Sequence, residues 1–121
     1  MVRRGQETLR AANNYAATLF RAKRFEEAKS VLRKTMPAAQ RALGEKDHIT
    51  LVLKKVYAES LYKDADATLY DLREAVTTLE DTAPIARRVL GGAHPVTMGI
   101  EVSLRNARAA LRARETSPRS A

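Results

Sequence analysis

The sequence predicts an all-α chain, an α-solenoid of about two and a half helix hairpins in which five helices follow one another in antiparallel succession. Three observations carry that prediction. First, the pattern repeats: Thr8, Leu9, Tyr15, Ala16 and Leu19 return 42 residues later as Thr50, Leu51, Tyr57, Ala58 and Leu61. Ala28, Pro37, Leu43 and Gly44 return 47 residues later as Ala75, Pro84, Leu90 and Gly91. Second, the apolar residues within each unit fall at the three-and-four spacing of a helix face. Third, 30% charged and only 5% aromatic residues, with much of the 45% hydrophobic content alanine, suit closely stacked amphipathic helices better than a β sandwich. Two helices per unit, repeated, make a helical array.

Taken in order, Leu9, Ala12, Tyr15, Ala16, Leu19 and Phe20 define a first helix over residues 7–22. A new stripe begins at Phe25 and Ala28 and runs through Val31, Leu32 and Ala39 to Leu43, where Gly44 ends the helix as a residue free to adopt positive φ. Pro37 lies inside this second helix and should kink or restart it, and Pro84 repeats the event in the second unit. Thr50 is the expected N-cap of a third helix reaching about Lys63, with Tyr15 and Tyr57 as packed aromatics. The change of offset from 42 to 47 places five extra residues between Leu61 and Ala75, most naturally in 63–68, with Asp66 or Thr68 capping the fourth helix. Its end is Leu90-Gly91, and Pro95 starts a fifth helix whose stripe is Ile100, Leu104, Ala107 and Leu111. The expected boundaries are a flexible 1–6, a repeat domain over 7–115 (first unit 7–44, second unit 49–91, capping helix 95–115) and a disordered 116–121.

At 121 residues the chain is one domain. The absence of cysteine removes disulfides and thiolate metal sites and is compatible with a cytoplasmic location. A formal charge of +8, spread along the chain, favours acidic partners. No apolar run approaches the roughly 20 residues of a membrane span, whereas the start, Met1 to Gly5 followed by an Arg-rich helix, resembles an organelle presequence in composition. Catalysis finds little material: His48 and His94 sit in connectors, Ser30, Ser60 and Ser103 lack nucleophile surroundings, and Gly91-Gly92 lacks the spacing of a phosphate loop. No enzyme activity, cofactor or metal is expected.

The run Thr8-Leu9, Asn13-Asn14-Tyr15-Ala16, Leu19, Phe25-Glu26-Glu27-Ala28 and the closing Leu43-Gly44 resembles the tetratricopeptide repeat, in particular the 42-residue form of kinesin light chains. Leu90-Gly91-Gly92-Ala93-His94-Pro95-Val96-Thr97 resembles the Leu-Gly-x-x-His-Pro-x-Thr unit end of that form. Lys23 departs from the pattern, standing where the family has a turn glycine, and the third unit has only its first helix, which reads as a cap closing the array. The resemblance implies a right-handed solenoid whose first helices line a concave groove. Groove positions would be Arg10, Asn13, Ala17, Phe20 and Arg21 in the first unit, and Val52, Lys55, Glu59, Tyr62 and Lys63 in the second. Four of these are basic and one acidic, so the implied function is a non-catalytic protein-interaction module or adaptor taking an acidic partner segment. A small structural subunit of a larger assembly and a nucleic-acid-binding helical repeat are the alternatives, the latter weakened by the interspersed Glu26, Glu27, Asp71, Glu74 and Glu80.

Overall fold

The computed structural model of the chain describes residues 2–116, with side chains from residue 5 onward. Its five helices are α1 (Val2–Arg21), α2 (Phe25–Leu43), α3 (His48–Tyr62), α4 (Leu69–Leu90) and α5 (Pro95–Thr116). Each helix packs on its sequence neighbour, α1 and α5 also pack on α3, and among the described residues α2 and α4 do not approach each other, nor do α1 and α5. The architecture is therefore two layers: α1, α3 and α5 side by side, with α2 and α4 behind the clefts between them. A row of helices in mutual contact in front of helices held apart is the packing of an all-α repeat solenoid, not of a closed bundle.

Helix α3 is the centre. Ten of its fifteen residues are buried, among them Leu51, Leu53, Val56, Ala58 and Leu61, because it has a neighbour on almost every side. Tyr57 ties it laterally: its hydroxyl donates to Glu74 Oε2 of α4 at 2.6 Å and accepts from Arg33 Nε of α2 at 3.4 Å. Tyr15, its counterpart 42 residues earlier, is 56% exposed rather than packed. The reason is positional. Tyr57 lies between the helix before it and the helix after it, and no described helix precedes α1.

Helix ends depart from expectation in instructive ways. Helix α1 begins at Val2 rather than residue 7, so the stretch expected to be flexible is helical from residue 2, because no proline stops propagation and one glycine costs only about 1 kcal/mol. The N-cap of α3 is Asp47, which accepts from the Ile49 N–H at 2.8 Å, and not Thr50, which is fully buried within the helix. A short carboxylate one residue before the helix reaches the first-turn amides, while Thr50 has already turned into the core. Thr68 and Asp71 form a reciprocal capping box on α4, and His94 Nδ1 accepts from the Val96 N–H to cap α5. The five inserted residues lengthen both the connector 63–68 and the first turn of α4. Neither proline restarts its helix: α2 and α4 run through Pro37 and Pro84 unbroken. Two residues before each, Thr35 and Thr82 donate to the carbonyls of Val31 and Thr78, the same local arrangement in both units. Helix α5 includes Thr116, and the rest of the tail expected to be disordered lies outside the described residues.

The turn after α1 is a Schellman motif, with Arg24 N–H donating to Leu19 O and Lys23 N–H to Phe20 O. Lys23 sits at its left-handed position with φ 63°, a conformation that costs a non-glycine residue on the order of 1 kcal/mol. Gly44 and Gly91 end α2 and α4 at φ 90° and 93°, where a side chain would be strained.

Burial and the hydrogen bond to Glu74 push the Tyr57 hydroxyl up to about 12. A raised value favours the neutral phenol, so its contribution is complete below pH 10 and is lost as pH climbs toward 12. We therefore expect urea titrations to show Tyr57→Phe costing about 1 kcal/mol at pH 7, with the gap to the parent narrowing above pH 10. A gap that stays constant with pH would refute the coupling.

Candidate functional site

The row α1, α3, α5 exposes one open face, the side away from α2 and α4. On α3 its stripe is Val52, Lys55, Glu59 and Tyr62, and contacts with α5 fix its orientation. Lys55 lies against Gly99, where an added Cβ would come within 2.8 Å of Lys55 Cε, and Ser103 donates to Glu59 Oε2 at 2.6 Å. At the other edge, Lys63 Nζ stands 5.5 Å from the centroid of the Phe20 ring on α1. Nine of the ten sequence-predicted groove positions lie on α1 and α3, adjacent helices of the same row, and the tenth, Lys63, caps the end of α3.

Their chemistry differs from a uniformly basic wall. Lys55 is ion-paired with Glu59 at 3.1 Å, and Glu59 is buried, so these two charges are spent on each other. Arg10, Arg21 and Lys63 are exposed, and among the described residues no carboxylate pairs with them. Arg21 donates only to the Thr18 hydroxyl, at 3.3 Å. Positive charge is thereby concentrated on α1 and at the C-terminal end of α3. Asn13 is half-buried with its side-chain oxygen buried and unpartnered, an arrangement costing about 1–3 kcal/mol. The Tyr62 hydroxyl is buried beside Ser103 and Asn106 without a well-aligned hydrogen bond, and burial pushes its pKa up. Ala17 and Val52 are half-buried spacers.

Sequence reasoning missed Lys23 and Phe25, which join Phe20, Arg21 and Lys63 around a pocket of about 520 Å³ at the turn end of this face. Phe20 and Phe25 meet edge to face at 5.6 Å. It also missed Lys29, only 2% exposed, held on the far side of the same turn by Glu26 and by Asp64 of the inserted connector at 3.7 Å. The lysine at a glycine position was the available signal for the first, and the acidic insertion for the second. His48 and His94 meet edge to face at 5.9 Å, and among the described residues no group of three or more metal-ligating side chains forms.

The family model of the tetratricopeptide repeat matches residues 8–50, spanning α1, α2 and the cap of α3. The chain therefore carries a tetratricopeptide repeat over these residues. Such repeats are non-catalytic and generally mediate protein–protein interaction. No curated protein and no solved structure gives a significant match, and the finer likeness to kinesin light chains rests on the sequence pattern alone. The second hairpin lies almost wholly beyond the matched residues, yet its helices α3 and α4 pack on each other as α1 and α2 do despite the longer connector. Among the described residues, no helix of the repeat is long and apolar enough to cross a membrane.

The pairing of Lys55 sets which variants report on binding. Lys55→Glu would set two carboxylates side by side in the inner wall and should cost about 2 kcal/mol in urea denaturation. Arg10→Glu, on an exposed position, should stay within about 0.5 kcal/mol. Equal losses for the two would show that the Lys55–Glu59 pair is not formed in solution.

Proposed function

We propose that this tetratricopeptide-repeat chain is a protein-interaction module whose α1–α3–α5 face holds an acidic segment of a partner protein. The observation that carries the reading is the segregation of charge on that face. Lys55 and Glu59 neutralise the middle, while Arg10, Arg21 and Lys63 stay exposed and unpaired along α1 and beside it. A chain of charge +8 attracts anions over a Debye length of roughly 8 Å at physiological salt, but only a face with unpaired cations and apolar footholds selects where they land. Val52, Ala17, Phe20 and Tyr62 supply those footholds. Asn13, whose buried oxygen has no partner among the described residues, would gain a hydrogen bond from a bound backbone N–H.

The test is a nuclear magnetic resonance titration of the isotope-labelled chain with an octapeptide of Asp and Glu containing one central Phe. Shifts should concentrate in α1 and α3 and spare the outer sides of α2 and α4, and Arg10→Glu with Lys63→Glu should weaken binding at least tenfold. Shifts on the outer helices, or no effect of the double variant, would overturn the reading. Tighter binding of single-stranded DNA than of the peptide at physiological salt would favour a nucleic-acid role instead.

A further inference from the structure

The pocket at the turn end of the inner face has a composition that the rest of the face lacks. Its walls are Phe20 and Phe25, at right angles enough to meet edge to face, and its rim carries Arg21, Lys23 and Lys63. Acidic side chains are close by, since Glu26, Glu27, Asp64 and Asp66 line the neighbouring depression. Most are engaged elsewhere. Glu26 and Asp64 turn to the buried Lys29, and Glu27 takes both oxygens to Arg24 at 2.6 Å. Among the described residues, the three rim cations are left without a carboxylate, and Lys63 rests over an aromatic ring instead.

We propose that this pocket receives a phosphotyrosine side chain of the segment bound along the inner face, its ring packed against the outer surface of the Phe20–Phe25 pair and its phosphate among Arg21, Lys23 and Lys63. The proposal rests on the reading of that face as a protein-binding surface and adds the chemistry of its end. Three cations are more than one carboxylate neutralises, whereas a phosphate carries close to two negative charges and three acceptor oxygens. Two aromatic walls are wasted on phosphoserine, which has no ring, while edge-to-face packing suits an aryl group. The volume, about 520 Å³, leaves room for a ring and its phosphate together. Lys23 supports the same conclusion from the backbone. It holds a left-handed position that glycine would occupy without strain, and its side chain lines the pocket.

The experiment compares fluorescein-labelled acidic octapeptides that differ only at the centre, carrying phosphotyrosine, tyrosine, phosphoserine or phenylalanine, by fluorescence anisotropy at physiological salt. The phosphotyrosine peptide should bind at least tenfold more tightly than the tyrosine peptide and at least fivefold more tightly than the phosphoserine one. Lys23→Gly should raise the melting temperature yet reduce the phosphotyrosine preference at least threefold, with the tyrosine peptide unaffected. Phe20→Ala should erase the advantage over phosphoserine, and Phe25→Leu serves as the milder variant if Phe20→Ala does not fold. Equal binding of tyrosine and phosphotyrosine peptides, or of phosphoserine and phosphotyrosine peptides, would overturn the pocket's assignment while leaving the inner-face reading intact. Failure of all four to bind would overturn both, and a Lys23→Gly chain that loses every peptide alike would show that the lysine acts on the face as a whole and not on the phosphate.

Discussion

The burial of α3 against its four neighbours is the constraint on which the remaining features depend. Isolated helix hairpins of this length gain little from alanine-rich contacts, and fully burying a leucine contributes only about 1.5–3 kcal/mol. Leu51, Leu53 and Leu61 reach complete burial because helices close in from both units at once. The hydrogen bonds of Tyr57 to α2 and α4 then fix how those helices flank it. The outer row has no such mutual contact, and that asymmetry is what turns the α1–α3–α5 side into a continuous wall.

The wall's electrostatics follow from the same packing. Where α3 meets α5, polar side chains must find each other, and Lys55, Glu59 and Ser103 do so in a chain of contacts that closes the middle of the face. Along α5 and α4 the charges also pair, Glu101 with Arg87 at 3.0 Å and Glu80 with Arg108 at 2.9 Å, in the descending order that antiparallel helices require. Helix α1 packs only on α2 and α3. Its Arg10 and Arg21 are among the exposed arginines for which no carboxylate partner forms among the described residues.

The repeat was legible because packing imposes the same residue at the same place twice, as with Ala16 and Ala58 or Leu43 and Leu90. Helix positions, the Thr68 cap and the glycine stops all follow from local rules that act within one turn. What could not be read was which faces find a partner helix in the described structure. Tyr15 carries the same signature as Tyr57, but among the described residues no helix precedes α1 to cover it. Arg105 of α5 is exposed, because its face has no partner helix in the described structure. Thr50 looks like a cap by residue type, yet Asp47 three residues earlier wins by geometry. At the site, the spacing could not show that Lys55 would be taken up by Glu59, because a pairing four residues apart competes with any ligand only once burial is known.

Native-state hydrogen exchange tests the central role of α3 most directly. If its burial holds both hairpins together, the amides of Leu53 to Leu61 should exchange only through global unfolding, while the outer turns of α1 and α5 open at lower free energy. Protection of α3 no greater than that of α1 and α5 would contradict the account, because the two hairpins would then be folding independently of the helix said to join them.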